Sequence, residues 1–274
     1  MQYTDHHIHS SCSPDAEDSM QDMAMACGER GVTTVCFTDH CDMDDYRSGA
    51  PDPDAEGLWR RSLDAYRETL GVIPSGLDLR IGVELGEMNH DPARAAALLA
   101  SAPELDFVLA SVHNLRNTPD FYALRYESEA HCRSLLHLYL AELTEVAAME
   151  GYDNLSHIGY AKRYMLRAGY RVFVEDAEYE EELRQLLRTV IQNGKGIEVN
   201  TSGLRHPAIE ETIPTPQILK IYKELGGERL TVGSDAHRTV DAGRGVVHTF
   251  DMLRELGFRY VCAYRRREPE FITL

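Results

Sequence analysis

The sequence predicts an α/β barrel with its active site at the C-terminal ends of the strands. Two observations carry this. Short apolar or β-branched runs alternate with helix-periodic stretches about seven times along the 274 residues, the repeat that builds parallel strands with helices packed outside them. Each run then ends on a side chain able to hold a metal, as in Asp5-His6-His7-Ile8-His9, Thr38-Asp39-His40, Gly82-Val83-Glu84, Ser111-Val112-His113, Ser156-His157 and Gly233-Ser234-Asp235-Ala236-His237. An open doubly wound sheet would use one or two strand ends at a switch point. Here every strand contributes, so closure fits better.

The elements follow in order. In the first strand His7 and His9 are one strand repeat apart and share a face, so two neutral imidazoles can hold one divalent ion. His6 is expected to face the other way and to pack. Ala16 to Glu29 reads as a helix, with Met20, Met23, Ala24 and Cys27 at helical spacing. Val32 to Phe37 is the second strand. The acidic stretch Cys41 to Asp54 follows, and its Asp42, Asp44 and Asp45 are expected to form a solvated lip. Ala55 to Leu70 is a helix, Leu79 to Leu85 a strand, and Pro92 to Ala100 a helix opened by proline. Phe107 to Val112 is apolar throughout, as in a strand buried on both faces.

A long helix covers 129–149, and Asn154 to Ile158 is a short strand with Lys162-Arg163-Tyr164 in its loop. Helix 178–193, strand 196–200, helix 218–225, strand 230–232 and helix 242–256 complete the alternation, and Tyr260 to Tyr264 closes the chain. No repeat, low-complexity segment or linker divides it, so residues 1–274 are expected to form one domain.

Composition narrows the functional classes. With 43% hydrophobic and 27% charged residues the chain has enough apolar material for a large core. A formal net charge of −17 speaks against a nucleic-acid binder, which needs a basic surface to displace counterions. No apolar run is long enough to span a bilayer and no signal-like segment precedes the first motif. The six cysteines lack a Cys-x-x-Cys pair, so reduced thiols and a cytoplasmic location are the expectation.

The ordered set His7-x-His9, Thr38-Asp39-His40, Glu84, His113, His157 and Asp235-x-His237 resembles the polymerase and histidinol phosphatase (PHP) family. The segments Ser10 to Asp15, Tyr160 to Tyr164 and Glu198 to Arg205 look like its histidinol-phosphate phosphatase branch. The departure is Ser111 to Arg116, where that branch often has an aromatic residue after the histidine. The resemblance implies a distorted seven-stranded (β/α) barrel and a site for three divalent ions. It places His7, His9, Glu84 and Asp235 on the first ion. Glu84, bridging, joins His113 and His157 on the second, and Asp15, His40 and His237 hold the third.

It also puts Glu84, Asp235 and His237 at the reacting centre. The all-nitrogen-and-oxygen ligand set suits Zn, Mn or Fe(II). Ions a few ångströms apart can furnish a bridging hydroxide and clamp a phosphoryl group. Arg163 and Arg205 are the candidates to fork onto the phosphate, and His206 is a candidate proton donor beside Pro207. The expected activity is hydrolysis of a small phosphate monoester, L-histidinol phosphate before nucleotide or sugar phosphates. A catalytically silent domain would be expected to have lost ligands, and none of these positions is missing.

Overall fold

A computed structural model describes residues 2–274. β1 (Thr4–Ile8) pairs in parallel with β2 (Thr34–Phe37). The order continues without a skip through β3 (Asp78–Gly86), β4 (Phe107–Ser111), β5 (Asn154–Leu155), β6 (Gly196–Asn200) and β7 (Leu230–Gly233). Just past β7 the chain returns to β1. The Asp235 amide donates to the His7 carbonyl at 2.6 Å and the His9 amide to the Ala236 carbonyl at 3.0 Å. The seven-stranded barrel is thereby nearly closed, through a seam shorter than its other ladders. Every residue of β1, β2, β4, β6 and β7 is buried, as parallel strands covered on both faces must be.

The outer layer comprises α1 (Met20–Glu29), α2 (Ala55–Leu70), α3 (Pro92–Ala100), α4 (Glu129–Ala147), α5 (Lys162–Arg167), α6 (Glu180–Gln192), α7 (Pro216–Glu224) and α8 (Val246–Glu255). Caps fix the helix starts. The Ser19 hydroxyl accepts the Asp22 amide, so α1 begins at Met20 and not at Ala16. Gly245, at φ 87°, sits in the left-handed region that a glycine tolerates. The last helix therefore begins at Val246, after the expected Ala242. The short α5 occupies a segment expected to be loop. Among the described residues no helix is long and apolar enough to cross a membrane.

Two departures from regular geometry shape the barrel. Asp5 pairs with Val35 and Ile8 with Phe37, so three residue steps of β1 oppose two of β2, a β-bulge. The Asp5 carboxylate accepts the His7 amide within the bulge at 3.3 Å and the Ser234 amide at 2.8 Å. Strict alternation is lost there. His6, expected to face away from His7, also contacts interior side chains: its ring meets Phe107 edge-on, while His7 lies beside Glu84. His6 still packs, as expected.

The second departure is at the C-terminus. β8 (Tyr260–Arg265) pairs antiparallel with β9 (Glu268–Thr273), a ribbon outside the barrel ladder. The ribbon covers the N-terminal ends of the strands. The Tyr264 amide donates to His6 Nε2 at 2.9 Å, Arg80 donates to the Tyr264 carbonyl at 2.7 Å, and the Tyr264 hydroxyl donates to Asn154 at 2.9 Å. Cys36, Phe107, Leu109, Cys262 and Tyr264 form a buried cluster behind this seal. The opposite mouth is left for chemistry.

Candidate metal centre

Glu84 is the hub of that mouth. It lies near the end of β3 and is 1% exposed. Its Oε1 accepts the Ser111 hydroxyl at 2.6 Å and lies 3.1 Å from His113 Nε2 and 3.0 Å from His157 Nε2. Its Oε2 lies 3.1 Å from His7 Nε2, 3.4 Å from His9 Nε2 and 3.2 Å from His40 Nδ1. These residues come from the ends of β1 to β5, which parallel alignment gathers at one rim.

All the residues expected to hold metal except Asp15 fall into shared donor groups around this hub, and Asp15 stands at its rim. His7 Nε2 and His9 Nε2 are 3.1 Å apart, and Asp235 Oδ1 stands 3.7 and 3.6 Å from them. Asp15, exposed at the rim, reaches His237 Nε2 at 3.2 Å and His40 Nε2 at 3.7 Å. The donor atoms fall into overlapping groups: His7–His9–Asp235, His7–Glu84–His157, His9–His40–His237 and His40–Asp42–His113. The sharing is more extensive than three separate ligand sets imply, since the His9 ring stacks on His237 with centroids 4.0 Å apart. Nitrogen and oxygen donors this close, most of them buried, match the demands of borderline and hard divalent ions. The geometry fits a multi-metal centre.

The electrostatics show how strongly these groups depend on one another. Burial opposes charge on His7, but Glu198, Glu84 and Asp235 outweigh it and hold its pKa well above the usual histidine range. Burial pushes His9 down to about 3, helped by His237 and His40. For His40 burial is again opposed, here by Asp42, Glu84 and Asp15, which raise it to about 10. Burial would raise the Glu84 pKa, yet His7, His113 and His40 keep it well below the ordinary carboxylate range. Cations would take over the role that these protons play.

Both candidate arginines reach the same mouth. Arg163 donates to the Ser202 hydroxyl at 3.0 Å and stacks over Tyr160 and Tyr164. Arg205 donates to the Asp235 carbonyl at 3.4 Å and lies 3.4 Å from Asp241, and its Nη1 is buried with no hydrogen-bond partner among the described residues. A cavity of about 390 Å³ is lined by these arginines, His206 and the histidine cluster. A second cavity, about 440 Å³, adjoins it across Tyr160 and Tyr164 and is lined by Asp44, Asp52, Asp120, Tyr46 and Tyr122.

Two expectations need correcting, and one residue was missed. Asp42 and Asp44 are not a solvated lip. Asp42 points between His40 and His113. Asp44 is 7% exposed, 2.6 Å from His90 Nδ1, and accepts from Asn114 at 3.2 Å. The loop folds back over the barrel, so its charges find buried partners. Only Asp45, tied to Ser48, fits the expected surface role. The missed residue is Glu198 on β6. Its Oε1 lies 2.6 Å from His7 Nδ1 and its Oε2 accepts the His157 amide at 2.8 Å. Gly233 makes room for it, since a Cβ there would sit 2.4 Å from Glu198 Oε1. Its available signal was a lone carboxylate within the apolar strand Gly196–Asn200.

Barrel and donor cluster together define an α/β-barrel protein with a metal-binding site at the C-terminal ends of its strands. The chain belongs to the PHP domain family, whose model matches residues 5–202. It is 26% identical over 273 residues to a histidinol-phosphatase of Lactococcus lactis, covering 96% of this chain and 95% of that one. It is 27% identical over 278 residues to a "Probable histidinol-phosphatase" of Deinococcus radiodurans, covering 97% and 98%. Among solved structures, the Lactococcus lactis histidinol phosphate phosphatase complexed with Zn, L-histidinol and phosphate has the same fold. It superimposes with a TM-score of 0.80 at 24% identity, over 98% of this chain and 99% of that one.

Proposed function

We propose that this protein is a metal-dependent phosphomonoesterase that hydrolyses L-histidinol phosphate to L-histidinol and phosphate. The observation that carries the reading is the pairing of cavities at the donor cluster. One side offers Arg163 and Arg205, and the other offers Asp52 and Asp120 among tyrosine rings. A monoester with an anionic head and a cationic, planar body matches both sides at once. The names of the full-length relatives support the same substrate.

In this reading three divalent ions, of Zn, Mn or Fe(II), would be held by His7, His9, Glu84 and Asp235, by Glu84, His113 and His157, and by Asp15, His40 and His237. Such ions, when bound, lower the pKa of water in the site and offset the charge on phosphoryl oxygens. The chain's own residues do the rest. Glu84 keeps the ligands of neighbouring ions in register through its two oxygens, and Asp235 and His237 complete the reacting face. Arg163 and Arg205 hold the phosphate in a bidentate fork, with Arg205 Nη1 ready to donate. Glu198 holds His7 from behind, accepting from its Nδ1 and so directing Nε2 to the metal. Nucleoside monophosphates would use the same centre but bring a neutral body with no cation for Asp52 and Asp120, and nucleotide bisphosphates would set a second anion against them.

The test is a phosphate-release panel over histidinol phosphate, nucleoside monophosphates, nucleotide bisphosphates and sugar phosphates, with the metal-loaded protein. Histidinol phosphate should have the highest kcat/KM. Equal turnover of glycerol phosphate would leave a general phosphoesterase.

A further inference from the structure

The buried polar atoms with no hydrogen-bond partner among the described residues include His40 Nδ1, His113 Nδ1 and Asp42 Oδ1, all beside the hub. They face one another. His40 Nδ1 lies 3.5 Å from Asp42 Oδ2, and His113 Nδ1 lies 3.6 Å from Asp42 Oδ1. Other carboxylates are near, at 3.2 Å from His40 Nδ1 (Glu84 Oε2) and 3.8 Å from His113 Nδ1 (Glu87 Oε1). Both are already engaged. Glu84 is shared among the surrounding imidazoles, and Glu87 Oε1 accepts the His113 amide at 2.7 Å. Among the described residues Asp42 is the carboxylate that faces the Nδ1 atoms of both rings.

The remaining ring nitrogens point elsewhere. His113 Nε2 faces Glu84, and His40 Nε2 faces Asp15. A neutral imidazole has one lone pair, so a ring that gives Nε2 to a metal carries its proton on Nδ1 and needs an acceptor there. The backbone keeps the space for that acceptor. Gly86 lies at the end of β3, and a Cβ on it would stand 2.2 Å from Asp42 Oδ1 and 2.8 Å from its Cγ. The three atoms nearest that position all belong to the Asp42 side chain and φ is ordinary, so alanine there would displace the carboxylate first.

We infer that Asp42 is a positioning residue that accepts the Nδ1 protons of His40 and His113 together, so that one carboxylate orients ligands of two different ions. The inference rests on the assignment of the metal centre proposed above. It separates the ions by their support: those of His40 and His113 lean on Asp42, whereas His7 is held by Glu198. Loss of such a partner costs about 10–100-fold in metal affinity at each site it serves.

The experiment compares wild type with Asp42→Asn, Asp42→Ala and Gly86→Ala. Each is loaded with Zn and dialysed against graded chelator. Retained metal is counted by elemental analysis, circular dichroism checks the fold, and NMR follows the downfield imidazole N–H resonances. Asp42→Ala should lose part of its metal at roughly 10–100-fold weaker chelation while keeping the remainder as wild type does. The N–H resonances of both His40 and His113 should shift or vanish. Gly86→Ala should reproduce this with the carboxylate still present, and Asp42→Asn should fall between. Wild-type retention in folded Asp42→Ala or Gly86→Ala, or an equal weakening of every ion, overturns the inference. A wild type that takes up one ion or none removes the centre itself, and the Asp42 role with it.

Discussion

Replacing Glu84 by alanine should damage the enzyme more than removing any single histidine. The carboxylate stands within 3.4 Å of nitrogens from His7, His9, His40, His113 and His157, and accepts the Ser111 hydroxyl. In the proposed centre it serves two ions. If each loses one charge-assisted contact, worth about 1.5–3 kcal/mol, the combined loss is roughly 3–6 kcal/mol. That corresponds to about 10²–10⁴ in kcat/KM at about 1.4 kcal/mol per tenfold. His113→Ala or His157→Ala touches one ion and should cost roughly 10–150-fold on the same scale. The assay is phosphate release from histidinol phosphate at saturating Mn or Zn, with metal content measured on the same samples so that occupancy and chemistry separate. Should His113→Ala or His157→Ala prove clearly worse than Glu84→Ala at equal metal content, Glu84 does not bridge.

Further outcomes follow from the same geometry. Metal analysis after reconstitution should approach three ions per chain, and saturation at one would leave only a His7/His9 site. Arg205→Lys should retain metal but lose about 1.5–3 kcal/mol of transition-state stabilisation for every monoester tested, since lysine cannot form the fork; unchanged kcat/KM would remove Arg205 from the phosphate. Asp120→Asn should raise KM for histidinol phosphate and leave glycerol phosphate unaffected, a contrast that steady-state kinetics on the two substrates would check. His90 lies between Asp44 and Glu142; burial opposes its charge, but these carboxylates raise its pKa to about 9. A histidine raised on folding stabilises fully below its unfolded pKa of about 6.5, and that contribution fades as pH climbs through 9. Thermal scans of the metal-loaded protein from pH 6 to about 10 should show this loss, and His90→Gln should flatten it.

The sequence disclosed the strands well because buried parallel strands read as unbroken apolar runs, and their ends were marked by the residues they deliver. Phe107 to Val112, ending on His113, shows both signals at once. What it hid depended on contacts distant along the chain. Asp42 and Asp44 sit in a polar run that looks solvated, and only the loop's return toward His113, His90 and Asn114 buries them. Glu198 reads as one charge in an apolar strand until barrel closure leaves only β7, with its Gly233, between β6 and β1. β9 has only Pro269 and Ile272 half-buried, on a ribbon with no partner in the barrel ladder, so it reads as a surface tail. The segment at α5 is one and a half turns long, too short for periodicity to register.

The bulge in β1 gives that strand two addresses. A regular strand would send every second residue inward, so His6 and His7 could not both reach the interior. The additional residue lets His7 meet Glu84 and Glu198 at the open mouth while the neighbouring His6 accepts the Tyr264 amide at the sealed one. Metal chemistry and the closing of the opposite end are thus written into adjacent positions. A slip of the strand by one residue would give one end the wrong imidazole and the other none, with Ile8 at the mouth or Asp5 at the seal. One register therefore satisfies the seal and the mouth together: the ribbon meets His6 in the same alignment that sets His7 between Glu84 and Glu198.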